Sequence, residues 1–137
     1  MSSVVSQFVL LTLCAVTLAA TVAQPDTNYA GEYVMQGKGF GPNDRAYAGT
    51  CSLQREDQGY KVSCFNQDTR HTYAGKGLAI GDTLAIFIGD LLQGDHNVTY
   101  AGEYLIVYQR DANGNLSGKW LHTTSPAAGM ETLTRKK

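Results

Sequence analysis

A chain of 137 residues in which 11 basic and 12 acidic side chains nearly cancel has room for one domain with a modest core. It lacks the basic excess of a nucleic-acid binder or of a protein held on an anionic membrane surface. Glycine is frequent, proline scarce and tyrosine the dominant aromatic, a profile that suits short strands joined by tight turns and does not suit disorder.

Residues Val4 to Ala23 carry no charge and end in Thr21-Val22-Ala23, with small residues at the −3 and −1 positions that suit a signal peptidase. Cleavage is expected before Gln24, although Met1 to Gln7 contains no Lys or Arg. A membrane anchor is the competing reading, but Thr12, Thr17 and Thr21 dilute a stretch that would need about 20 strongly apolar residues to span. The expected organisation is therefore a signal peptide over 1–23 and a single domain over 24–137, with no membrane span after processing and a periplasmic or secreted location. Processing removes Cys14 and leaves Cys51 and Cys64 in an oxidising compartment, where an even number favours a disulfide.

The first strand is expected over Ala30 to Gln36, followed by a Gly-rich connection from Gly37 to Asp44. That connection lacks the Gly-Lys-Ser/Thr of a P-loop and leads into another strand, so it reads as a loop and not as a phosphate cradle. Strands two (Ala46 to Gln54) and three (Tyr60 to Phe65) flank Arg55-Glu56-Asp57-Gln58-Gly59. Folding that hairpin about Asp57 and Gln58 sets Arg55 opposite Tyr60, Leu53 opposite Val62, and Cys51 opposite Cys64. A directly opposed antiparallel pair brings the Cα atoms close enough for a bridge, and the absence of Cys-x-x-Cys spacing argues for a structural bond over a redox site.

His71 to Ile80 reads as strand four, Gly81-Asp82 as its turn, and Thr83 to Ile88 as strand five, apolar at consecutive positions. Gly89 to Asn97 reads as a polar loop. From Thr99 to Trp120 two alternating runs flank Asn113-Gly114, the strongest short-range hairpin signal. A turn around Ser125-Pro126 leads to a last strand, Met130 to Arg135. The triplet Tyr-Ala-Gly recurs at Tyr29-Ala30-Gly31, Tyr47-Ala48-Gly49, Tyr73-Ala74-Gly75 and Tyr100-Ala101-Gly102. Its unequal intervals exclude a solenoid, while glycines inside strands mark bulges, bends or close backbone approach, the devices that curl a sheet. The expected fold is all-β, an eight-stranded antiparallel up-and-down β-barrel, with a β-sandwich as the alternative.

Parity along the strands nominates the residues that carry chemistry. Gly102, Tyr104, Ile106 and Tyr108 share one face, with Glu103, Leu105 and Val107 on the other; Leu84, Ile86 and Ile88 alternate with Ala85 and Phe87. Apolar residues on both faces fit a barrel interior plus an outer face covered by a second subunit through strands 83–88 and 99–108, or scattered surface residues. Glu131 shares parity with Leu133 and so enters an apolar interior, where it needs a partner such as Arg45 or Arg70. A ligand-orienting carboxylate or an acid of raised pKa is the functional reading, and a structural ion pair is the plainer one. Trp120 reads as a core ring or as a ring stacked on a ligand. His71, His96 and His122 lie in separate segments without ligand spacing, so neither a metal nor a cofactor is expected. No nucleophile elbow, His-Glu-x-x-His or Cys-His pattern marks an enzyme.

Tyr47-Ala48-Gly49, Gly59-Tyr60-Lys61-Val62, Gly75-Lys76-Gly77, Gly114 to Trp120 and Gly129-Met130-Glu131-Thr132-Leu133 together resemble a group of short secreted bacterial proteins, some named fibronectin-binding protein. Cys64 stands where such proteins would carry Trp. The resemblance implies a calycin-like barrel and an extracytoplasmic life, and it carries no catalytic residues with it. Three functions follow in order of preference. The first is a non-enzymatic binding module that holds a small apolar molecule, or a protein partner, through an open mouth lined by Tyr33, Tyr104, Trp120 and Glu131 and by the loops Gly37 to Asp44 and Gly89 to Asn97. The second is an adhesin-like or inhibitor protein that acts on an extracellular protein through its outer surface, without a cavity. The third is a barrel-type cyclase or isomerase with Glu131 as acid or base.

Overall fold

The structure, a computed structural model, describes residues 27–41, 45–93, 96–100 and 104–137; the expected signal segment 1–23 lies outside them. Nine strands run in order, β1 (Gly31–Gly39), β2 (Ala46–Glu56), β3 (Gly59–Asn66), β4 (His71–Ile80), β5 (Thr83–Gln93), β6 (His96–Tyr100), β7 (Tyr104–Arg110), β8 (Leu116–His122) and β9 (Ala128–Arg135). Every pairing is antiparallel, and β1-β2-β3-β4-β5-β7-β8-β9 close into an eight-stranded barrel through the pairing of β9 with β1. The short β6 pairs with the far half of β5, in succession to β7 along the same edge. Apart from β6, each strand of the barrel pairs with the next in chain order, the up-and-down arrangement expected, and no helix occurs among the described residues.

Hairpin chemistry and side-chain alternation account for this order. In β2–β3 the register is Arg55 to Tyr60, Leu53 to Val62 and Cys51 to Cys64, as the turn at Asp57 and Gln58 requires. The two sulfurs are bonded, with Cα atoms 4.0 Å apart. Alternate residues point inward along each strand, Cys51 and Leu53 on β2, Tyr60, Val62 and Cys64 on β3, Ile106 and Tyr108 on β7. Two glycines of the repeated triplet, Gly49 and Gly75, each have a neighbouring strand's carbonyl oxygen where a Cβ would stand, and the register shifts between Ala74 and Gly75.

Within the segment Gly89 to Asn97, expected as a loop, β5 continues through Gln93 and β6 begins at His96, residues 94 and 95 lying outside the described residues; Asp90, Leu91, Leu92 and Gln93 pair with Ala74, Tyr73, Thr72 and His71 of β4. The long β4 offers a backbone ladder, and satisfying it outweighs the polar composition from which the loop was read. Gly37 to Gly39 likewise belong to β1.

The outer face carries a cross-strand row of Phe87, Leu105 and Leu121, each more than a third exposed. Inside, Leu53, Val62, Leu84, Ile86, Leu116 and Leu133 fill one end of the barrel. Residues 27–30 cross that end as a strap. Tyr29 is fully buried; its N–H donates to Tyr60 Oη (3.2 Å), its Oη donates to the Gly81 carbonyl (2.7 Å), and its own carbonyl accepts from Tyr33 Oη (2.7 Å). Arg135 secures the strap by donating to the Ala30 carbonyl (2.6 Å) and lying over the Tyr33 ring. Tyr29→Phe keeps the ring and loses the bond to Gly81, so urea denaturation should show a loss of about 1 kcal/mol. An unchanged midpoint would mean that the strap is not anchored by that bond.

Candidate functional site

The opposite end of the barrel is organised around Glu131, which is 7% exposed. Its parity with Leu133 turns it inward, as expected, but its partner is not an arginine. One row across five strands explains what it meets: Tyr47 on β2, Gly37 on β1, Glu131 on β9, Gly118 on β8 and Tyr108 on β7 are successive cross-strand partners. On either side of the carboxylate stands a glycine. The Tyr47 ring lies over Gly37, in the space a Cβ would fill, and the Tyr108 ring lies against Gly118 in the same way. Each phenol thereby reaches across one strand: Tyr47 Oη donates to Glu131 Oε2 at 2.7 Å, and Tyr108 Oη donates to Oε1. The expected ion pair with Arg45 or Arg70 is thus replaced by a Tyr-Glu-Tyr bridge. Arg70 is exposed in the turn after β3, and Arg45 is exposed before β2, where it borders the cavity described next.

Beside this bridge is a cavity of about 260 Å³. Tyr47, Tyr73, Tyr104 and Trp120 supply aromatic walls, Met35, Ile88 and Ile106 aliphatic ones, and Arg45, Asn66 and Glu131 the polar groups. The rings brace one another edge to face, Tyr73 with Tyr104 at 5.8 Å and Tyr104 with Trp120 at 5.9 Å between centroids. The Trp120 ring lies over Gly129 of β9, again in the space of a missing Cβ. Its buried Nε1 has no hydrogen-bond partner within strict geometry among the described residues, and it lies beside the Tyr47 phenol, where it favours the charged form slightly. Three of the four residues expected at a mouth, Tyr104, Trp120 and Glu131, therefore share one cavity wall. Tyr33 does not: it is fully buried under the strap at the closed end, because parity sets which way a residue faces and not how deep along the barrel it lies.

Burial pushes the Glu131 carboxyl above the ordinary carboxylate range, and the hydrogen bonds from Tyr108 and Tyr47 only partly oppose it. Burial and the adjacent carboxylate hold both phenols above their ordinary value, so they remain protonated donors. The folded protein therefore binds the Glu131 proton more tightly than the unfolded chain does. That stabilisation is full below the ordinary value of 4.5 and is lost as pH rises through the raised one. Glu131→Gln has no such proton, and the melting temperature of the wild type should fall relative to that variant across this window. Parallel curves would contradict a raised Glu131.

Among the described residues no group of three or more His, Cys, Asp or Glu is placed to hold a metal ion. What the site can do chemically is present one carboxyl, one buried indole N–H and four aromatic rings to a compact guest. Fold and site together define an up-and-down β-barrel plugged at one end and hollow at the other, with a buried carboxyl in an aromatic wall. The sequence matches no protein-family model and no curated protein.

Proposed function

We propose that the protein is an exported, non-enzymatic binding module that holds a small, largely apolar ligand in the open end of its barrel. The observation that carries this reading is the aromatic-walled cavity with its few convergent polar groups, the usual composition of a small-molecule site. Its volume falls below the roughly 300–1,000 Å³ typical of such sites, so the ligand is compact. Periplasmic or secreted location is supported by the Cys51–Cys64 bond, which is compatible with an oxidising compartment. A cyclase or isomerase with Glu131 as acid or base is less well supported, because both oxygens of that carboxyl are already engaged by Tyr47 and Tyr108.

Trp120 is the only tryptophan of the chain, so the cavity contains its own fluorescent reporter. Titration with compact probes such as p-cresol, camphor and neopentylbenzene should shift Trp120 emission saturably, and Ile88→Phe, which fills the cavity from β5, should abolish the response. Probes without effect, or an effect that survives Ile88→Phe, would contradict the proposal.

A further inference from the structure

We propose that the ligand of this cavity is a compact organic monocation, a substituted ammonium ion held between the Glu131 carboxylate and the faces of Tyr47, Tyr73, Tyr104 and Trp120. The inference rests on the reading of the cavity as a ligand site and adds the chemical class of its occupant. Two observations converge on it. The first is a carboxyl group that the fold buries without an ion pair among the described residues: Glu131 is only 7% exposed. Both of its bonds are to neutral phenols. A buried carboxylate is costly unless a counter-charge is present, and the cavity is the open side from which one can arrive. The second is the wall itself. Four aromatic rings line one small space, and the negative face of such a ring attracts ammonium groups, more strongly where water is excluded.

Among the described residues, the groups that touch Glu131 or share its cavity are few. Tyr47 comes from β2, Tyr108 and Tyr104 from β7, Tyr73 from β4 and Trp120 from β8; β1 and β8 place Gly37 and Gly118 beside it; β3 brings Asn66 and the disulfide-bonded Cys64 to the cavity. Arg45 borders the same cavity, but it is exposed, and the bonds to Glu131 come from the two phenols instead. An ammonium guest is thus bound by the ionised form of Glu131. Where the free protein holds Glu131 protonated, binding releases that proton to solvent, and affinity falls as pH falls through the Glu131 titration.

The test compares benzyltrimethylammonium with neopentylbenzene, its uncharged counterpart of the same shape, on the intact chain with its disulfide formed. A quaternary ammonium keeps its charge at every pH, so any pH dependence belongs to the protein. Calorimetry supplemented by Trp120 fluorescence should show the cation bound at least about tenfold more tightly than the neutral probe at pH 8, with the preference shrinking on acidification. Glu131→Gln should bring the cation down to the affinity of the neutral probe and leave the neutral probe as it was. Should that variant fail to fold, the wild-type pair and its pH series still decide the matter. A neutral probe bound as tightly as the cation, or a cation preference that survives Glu131→Gln or does not vary with pH, would overturn the inference while leaving a small-molecule site standing. Failure of both probes together with the uncharged compact probes would overturn the ligand site as well.

Discussion

Gly118→Ala should cost the protein about 4 kcal/mol and remove the Tyr-Glu-Tyr bridge at the same time. A Cβ on Gly118 would stand 2.4 Å from the Val107 carbonyl oxygen and 2.7 Å from Cδ1 of Tyr108. The first contact is with backbone held in the β7–β8 ladder, where Val107 pairs with Lys119 and Tyr108 with Gly118, so the strands must part. Overpacking of this kind costs about 1–3 kcal/mol. The second contact displaces the Tyr108 ring and breaks its donation to Glu131, and leaving buried polar groups unsatisfied adds about 1–3 kcal/mol. Gly39→Ala is the control, since its nearest neighbour would be the Ala128 carbonyl at 3.8 Å, an ordinary contact; its effect should stay within about 0.5 kcal/mol. Urea denaturation of the two variants beside the wild type makes the comparison. Equal midpoints for Gly118→Ala and Gly39→Ala would refute the packing derived for the row from Tyr47 to Tyr108.

Cys51→Ser should lower stability by about 3 kcal/mol, the chain-entropy value for closing so short a loop. Cys51 and Cys64 face one another across β2–β3, 13 residues apart in sequence, and both are buried. The wild type with a reductant should melt with the variant, because both then lack the same constraint on the unfolded chain. Thermal denaturation with and without dithiothreitol checks this directly, and a wild-type melting temperature indifferent to reduction would sink the bridge as a source of stability.

Much of the barrel is legible in the chain because its signals are local. The Asp57-Gln58 turn fixes the register of β2 on β3, and with it the pairing of Cys51 and Cys64. Alternation with Leu133 turns Glu131 inward, and alternation along β7 separates Ile106 and Tyr108 from Leu105 and Val107. The misreadings share a different physical origin. Tyr47 and Tyr108 could not be named as partners of Glu131 from parity, since their meeting depends on the registers of four consecutive strand pairs. A signal was nonetheless present: glycines at inward positions on the two neighbouring strands leave the carboxylate flanked by space that only rings from the next strands over can fill. Tyr33 has the right parity and the wrong depth. The polar lead before β1 conceals Tyr29, whose burial comes from contacts 31 and 52 residues away along the chain. In Gly89 to Gln93, pairing with β4 prevails over local composition.

That the open end of the barrel holds a ligand, as proposed, is tested most directly by native mass spectrometry of the protein recovered from exported expression. The expected result is a folded species heavier than the polypeptide by a discrete small mass, which disappears on denaturation and is missing from Ile88→Phe prepared in the same way. A bare mass that gains no adduct when benzyltrimethylammonium, p-cresol, camphor or neopentylbenzene is added would contradict it.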